Sequence, residues 1–417
     1  MRLRTIFIML ILSISVFGAD LTIEVKKKVD SLADIAIEDA SGIYDQTMQK
    51  RFFKALYADL NVLSLFNVDK HKYQNSYDAS DVAVQNKDKE YVLRYKVSQS
   101  DFGKLMVSIK LFHNHQVDFI KSYKASPKAY IFISHAIAFD INRYMGEKDI
   151  DWIKKKIVFA KITGKKRSQI IIADYTMTYQ HPVIKGGFNI FPKWANKEQS
   201  GIYFTSLSRK KPILRYLDLK KAKIKNIVSS DGMVVCSDVS EDGNKLLITM
   251  APNAQTDIFL YNRQTRKLHR LTTYRGIDVG GQFVAGGKIV FISDRLGYPN
   301  VFLKSIGSKS VEQLVYYGRT NASCSAHGNY IVYKARESSN LFSSNTFNLH
   351  LISLNSNKVR RLTATGINEY PRFSNDGETI LFVKKYKRQS SIGIIRLAYN
   401  KSYLFPIHGG EIQSLDW

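Results

Sequence analysis

Short apolar runs recur at nearly even spacing between Asp149 and Trp417. IVFA starts at Ile157, IYFT at Ile202, LLIT at Leu246, IVFI at Ile289, IVYK at Ile331 and ILFV at Ile380, so successive starts lie 42 to 49 residues apart. Roughly a dozen residues after each comes a second strand-like run, as in QIIIAD from Gln169, ILRYLD from Ile213 and DIFLYN from Asp257. A period in the low forties with several short strands per period predicts four-stranded propeller blades.

The rest of the unit repeats as well. KLHRLT from Lys267 and KVRRLT from Lys358 alternate basic and apolar residues, as suits an exposed outer strand. Turns such as Ser240-Glu241-Asp242-Gly243 and Ser374-Asn375-Asp376-Gly377 supply the positive backbone dihedrals of tight strand connections. A further strand precedes each apolar run, with Trp194, Val239, Phe283, Cys324 and Phe373 at its aligned position. The sixth member of that set is Trp417, at the end of GGEIQSLDW. The tail is therefore expected to return to the first blade and close a ring of six, which removes the bare edges of a linear stack.

Before the repeat, the period changes. Arg2 and Arg4 precede an apolar run from Ile6 to Phe17, and Gly18 and Ala19 offer a small-residue cleavage site, so residues 1–18 read as a secretory signal. Residues 19–146 then read as a small α/β domain. LTIEV from Leu21 and LADIAI from Leu32 look like strands, and Met48, Phe52, Leu56 and Leu60 share one helical face between Ile43 and Leu60. Three strand-like runs follow from Glu90, Lys104 and Val117. Ser126-Pro127 opens a second helix, with Ser126 as its cap, that Gly146 ends. Residues 147–417 complete the architecture, an α/β N-terminal domain plus an all-β six-bladed β-propeller closed by the C-terminal strand.

Composition narrows the chemistry. The formal charge of +26 becomes +24 once Arg2 and Arg4 leave with the signal. The cations are spread over many strands and the chain reads as exported, so nucleic acid is not expected; runs such as Lys154 to Lys156 read as solvated faces, with an anionic membrane surface or acidic protein as the functional alternative. Cys236 and Cys324 lie on opening strands of non-adjacent blades and read as small buried hydrophobes. His113 and His115 at a hairpin tip lack the further ligands a metal needs. There is no Gly-x-Ser-x-Gly elbow, His-Glu-x-x-His pair or phosphate-cradling loop, so no catalytic residue, metal or cofactor is predicted.

The loops leading into the six opening strands converge at one mouth of the ring. They bring Asn189, Asp278, Arg319, Asn321, Asn368 and Glu369 toward a common opening, a polar rim that could seat a partner. One step inward, Lys193, Asp238, Gln282, Ser323, Arg372 and Asp416 are all polar, as a hydrated channel would require.

A signal, a small α/β domain, a short link and a propeller with Ser-x-Asp-Gly turns together resemble the TolB family, the periplasmic component of the Tol-Pal system. GEKDIDWIKKKIVFAK from Gly146 is similar to the family's domain junction, and DVSEDGNKLLI from Asp238 and RFSNDGETILF from Arg372 to its repeated strand-turn-strand. The resemblance implies a periplasmic, monomeric, non-enzymatic adaptor acting in outer-membrane integrity and constriction at cell division. It implies that the lipoprotein Pal binds at the mouth, where the six rim residues above are the candidates. It also implies that the arm Asp20, Leu21, Thr22, Ile23, Glu24 and Val25 contacts TolA, with other periplasmic or outer-membrane proteins as further partners. The same arm reads equally as the first strand of the small domain. Met233, Cys236, Val279 and Gly280 depart from the polar contacts of the family's mouth. A glycan or small ligand at the mouth is the alternative, with Phe188, Phe191 and Tyr370 as its aromatic platforms.

Overall fold

The computed structural model describes residues 32–42, 44–100, 102–207, 211–318, 320–337, 346–386, 389–407 and 410–417. The expected signal and the arm at Asp20–Val25 lie outside them, as does Arg319.

The N-terminal unit is a five-stranded sheet backed by two helices. Its strands are β1 (Ala33–Asp39), β2 (Phe66–Gln74), β3 (Tyr91–Gln99), β4 (Leu105–His113) and β5 (Gln116–Ala125), in the order β2-β1-β3-β4-β5. Helix α1 (Gln46–Leu63) starts where Asp45 accepts the backbone N–H groups of Thr47 and Met48, three residues later than the apolar spacing suggests. Ser126 makes no side-chain cap. It precedes a 3₁₀ turn at Pro127–Ala129 that feeds α2 (Tyr130–Tyr144), and Gly146 ends that helix at φ +70°. Strand β2 was not foreseen, because FNVDKHKYQ is an edge strand with little apolar periodicity. On the sheet's other face, the fully buried Glu38–Arg94 pair ties down the segment from Ala79 to Asn86.

Six four-stranded blades follow. The innermost strands are Phe188–Trp194, Val234–Val239, Asp278–Val284, Asn321–His327, Ile367–Phe373 and, for the first blade, Glu411–Asp416. This last strand pairs antiparallel with Ile157–Gly164, placing Asp416 opposite Val158 and Leu415 opposite Phe159, so the tail closes the ring. Every innermost strand carries a register shift halfway along. Four of these bulges hold a residue at positive φ: Phe191, Gly280, Ser323 and Tyr370.

The fifth blade departs from the expected register. Ala326, not Cys324, pairs with the first residue of the apolar run, Ile331. Its turn is two residues, Gly328-Asn329, where the third blade needs Ser240 to Asn244, so counting back a constant distance lands two residues early. Ser325 therefore holds the inner polar position that was expected for Ser323.

Antiparallel order sends the hairpins between first and second, and between third and fourth, strands to one end of the ring. The α/β unit covers that end. Arg396 of the sixth blade donates to the carbonyls of Val62 and Leu63 at 3.1 and 3.2 Å, at the negative end of α1. Trp152 of the link packs edge-on against Trp417 at 5.4 Å, and one apolar core runs from Phe52 and Ile137 through Trp152 to Leu415.

At the centre of this junction, His135 of α2 is buried between two carboxylates. Asp59 of α1 lies 2.9 Å from its Nδ1, and Asp174 of the first blade 3.4 Å from its Nε2. Ser134 and Tyr175 also donate to Asp59. Burial pushes the imidazole down, but Asp59 and Asp174 more than offset it and raise its pKa to about 9. A histidine raised in the folded state contributes its stability in full below the unfolded value of about 6.5 and loses it as pH climbs through about 9. Chemical unfolding should therefore show about 3 kcal/mol of stability lost between pH 6.5 and 10 that a His135→Gln variant does not lose. Matching pH profiles for the two proteins would contradict this.

Candidate protein-binding site

The six inner polar positions meet along the channel, and most of them bond to each other. Asp416 accepts the backbone N–H of Trp194, Asp238 that of Phe283, and Ser325 that of Phe373, so blades are hooked in pairs across the channel wall. Lys193 lies 2.9 Å from Asp416 and 3.2 Å from Asp238, and Arg372 reaches Asp416 at 3.3 Å. Burial lowers the Lys193 pKa, yet Asp416 and Asp238 outweigh it and leave the ammonium above its usual value. Two cations and two carboxylates thus balance inside the ring.

These side chains also divide the channel, since Lys193, Gln282 and Arg372 line the cavities on both sides. The cavity facing the α/β unit, of about 450 Å³, is rimmed by Ser240, Glu241, His327, Ser374 and Asn375. The opposite cavity, of about 310 Å³, is apolar. Phe191, Met233, Val235, Val279, Ile292, Tyr370 and Leu415 line it, together with both cysteines. Burial pushes the Cys324 thiol up to about 12 and raises that of Cys236 too, so both are protonated apolar wall groups.

Around this open mouth stand large apolar side chains that are exposed among the described residues. Met233, Ile277, Tyr316, Tyr317 and Ile367 sit in or beside the loops between blades, and Leu296 and Tyr386 in hairpins at the same end. Tyr317 is 80 % exposed and Tyr316 67 %. An exposed apolar crown around a largely apolar cup is the kind of patch that marks interaction sites, and it is the candidate site of this fold.

The expected polar rim sits elsewhere. Asn189, Asp278, Asn321 and Asn368 occupy equivalent positions, each five residues before the aligned apolar residue, and all are buried. They pin the loops from below. Asn189 donates to Gly186 O at 2.8 Å, Asn321 to Tyr317 O at 2.9 Å, and Asn368 to Phe347 O at 2.8 Å, while Asp278 accepts from Arg295 at 3.1 Å. A loop that leaves its strand with backbone groups unpaired needs such a side chain, which is why polar residues recur there. Glu369 is held between Lys334 at 3.4 Å and Lys385 at 3.0 Å, and burial, which raises its pKa, is outweighed by the two ammonium groups. Beyond Met233 and Val279, noted above as departures, the residues that reasoning from polarity missed are the exposed apolar ones. Their signal was available as bulky side chains in turn segments such as Val315-Tyr316-Tyr317-Gly318.

Comparison with known proteins agrees with this architecture. The family model of the TolB beta propeller domain matches residues 147–417. A Tol-Pal system protein TolB from Wolinella succinogenes is 46% identical over 411 residues, covering 97% of each chain. Its counterpart from Campylobacter jejuni strain RM1221 is 40% identical, covering 99% of this chain and 100% of its own. The crystal structure of TolB from Acinetobacter baumannii superposes with a TM-score of 0.74 at 22% identity, covering 93% of this chain and 97% of that one.

Removing one member of the channel ion cluster should be costly. Lys193→Met leaves Asp238 and Asp416 facing each other with Arg372 as the remaining cation, and is expected to cost about 3–5 kcal/mol in denaturant unfolding. A loss under about 1 kcal/mol would mean that water, not Lys193, solvates these carboxylates.

Proposed function

We propose that this chain, which belongs to the TolB family and is a component of the Tol-Pal system, works in the periplasm as a two-sided adaptor. Its propeller holds the lipoprotein Pal at the open mouth, and its N-terminal segment Asp20–Val25 engages TolA. Through these contacts it supports outer-membrane integrity and constriction during division. The observation that carries this reading is the uncovered apolar crown around the apolar cup, at the end the α/β unit leaves free. Binding rather than catalysis suits the interior, where the charged groups are committed to one another. A glycan would need open aromatic faces, whereas Phe188, Phe191 and Tyr370 are all half-buried in the wall.

Coupling between the two sites follows from where the domains meet. The α/β unit grips blades 1 and 6 through Asp174, Tyr175 and Arg396, and the inner strands of those blades run from the mouth to that junction. A partner that prefers one arrangement of the ring biases the junction by the same free energy, in both directions.

Calorimetric titration of the mature protein with the soluble domain of Pal tests the mouth. Tyr317→Ser and Met233→Ser should each weaken binding about tenfold or more, as truncation of a buried interface anchor does. Glu241→Ala, at the covered end, should leave it unchanged. Saturable binding insensitive to both mouth variants would move Pal elsewhere. Removing residues 20–25 should abolish TolA binding and spare Pal, and an intact TolA interaction would disqualify the arm.

A further inference from the structure

The open end is not uniform around the ring. Met233, Ile277, Tyr316, Tyr317, Ile367 and Tyr386 come from the loops and hairpins entering or within blades 3 to 6. Blade 1 presents a different surface at the same end. Its hairpin between the second and third strands carries Lys165, Lys166 and Arg167, and Lys185 leads into the Gly186-Gly187 crossing to blade 2. All four cations are exposed.

Elsewhere on this end, several cations are matched. Lys211 pairs with Asp231 at 2.5 Å, Arg295 with Asp278 at 3.1 Å, Lys385 with Glu369 and Glu411 at 3.0 and 2.7 Å, and Arg361 with Glu337 at 2.5 Å. Among the described residues, Lys165, Lys166, Arg167 and Lys185 have no carboxylate within ion-pair distance. Four like charges in two adjacent turns repel one another, and no described carboxylate lies close enough to pair with them. Edge-strand protection does not account for them, since they lie in turns at the end of the blade and not along its outer strand.

Resting on the reading of this end as a partner-binding mouth, we infer that its occupant is a globular protein with two distinct patches. An apolar patch covers blades 3 to 6, and an acidic patch faces the turns of blade 1. The docking is off-centre. The apolar arc supplies affinity by removing bulky side chains from water, while the basic arc fixes the rotation of the partner about the ring axis and speeds its encounter. A partner turned by half a revolution would set its carboxylates on Tyr316 and Tyr317 and leave the four cations uncovered. That mismatch gives a ring of near-repeats a single binding orientation.

Salt separates the two arcs. The mature protein would be titrated with the soluble domain of Pal at 50 and 500 mM NaCl, as wild type, as the Lys165→Ser/Lys166→Ser double variant and as Tyr317→Ser, with thermal unfolding confirming that each is folded. Wild type should weaken roughly tenfold between the two salts. The double variant should bind roughly fivefold more weakly at 50 mM and lose most of its salt dependence, and its on-rate should fall. Tyr317→Ser should weaken binding equally at both salts. Wild-type affinity and salt dependence in the double variant, with Tyr317→Ser still impaired, would overturn the acidic patch while leaving the mouth as the Pal site. Absence of any binding by wild type would overturn both.

Discussion

Asp416 is the residue on which the ring depends. Its strand completes the first blade, its carboxylate accepts the backbone N–H of Trp194 in the second, and it holds Lys193 and, more distantly, Arg372 of the sixth. A propeller built from separate sheets needs something to hold their inner edges in register. Here that role falls to a few charges taken out of water, which are stable only as a complete set. The cluster also separates the two openings of the channel, so each end has its own chemistry. One end faces Ser240, Glu241 and Asn375 beneath the α/β unit, and the other is lined mainly by apolar side chains and the two cysteines.

The two ends serve different purposes for a geometric reason. Antiparallel blades deliver their tight hairpins to one end, and these are short enough to pack under a second domain. Loops crossing from an outer strand to the next inner strand all arrive at the other, and they have the length to carry Met233, Ile277 and Tyr317 outward. The junction beneath the first end is polar at its centre. His135 joins Asp59 of one domain to Asp174 of the other, and Arg396 adds its bonds to the last carbonyls of α1. Such a contact specifies one arrangement of the domains more strongly than it glues them.

The architecture was legible because the repeat is written in apolar runs, and the closing strand because Trp417 stands where Trp194 and Phe373 stand in their blades. Register was less legible. A two-residue turn in the fifth blade moved Ala326 into the place that counting gave to Cys324, and turn length leaves no mark on apolar spacing. The mouth was misread in a more instructive way. Asn189, Asn321 and Asn368 are polar and lie in loops, which marks them as surface groups by composition, but a loop that must leave a strand buries its own anchor. The residues free to meet a partner are those whose exposed side chains anchor no loop, such as Tyr317. A search for functional groups by polarity passes over them.

The closing strand has a further consequence for how the protein is made. Residues 157–164 and 411–416 lie about 250 positions apart, yet they are neighbours in one sheet. From the moment the first blade folds until its last strand arrives, its inner edge offers a row of unsatisfied N–H and C=O groups to any other extended chain. Synthesis delivers the polypeptide from its N-terminus, so this gap stays open while five further blades emerge. A molecule stalled there can accept a strand from a neighbour, and the ring would then close between two chains instead of within one. The strand that completes the propeller thus decides whether the product is a monomer or an exchanged assembly.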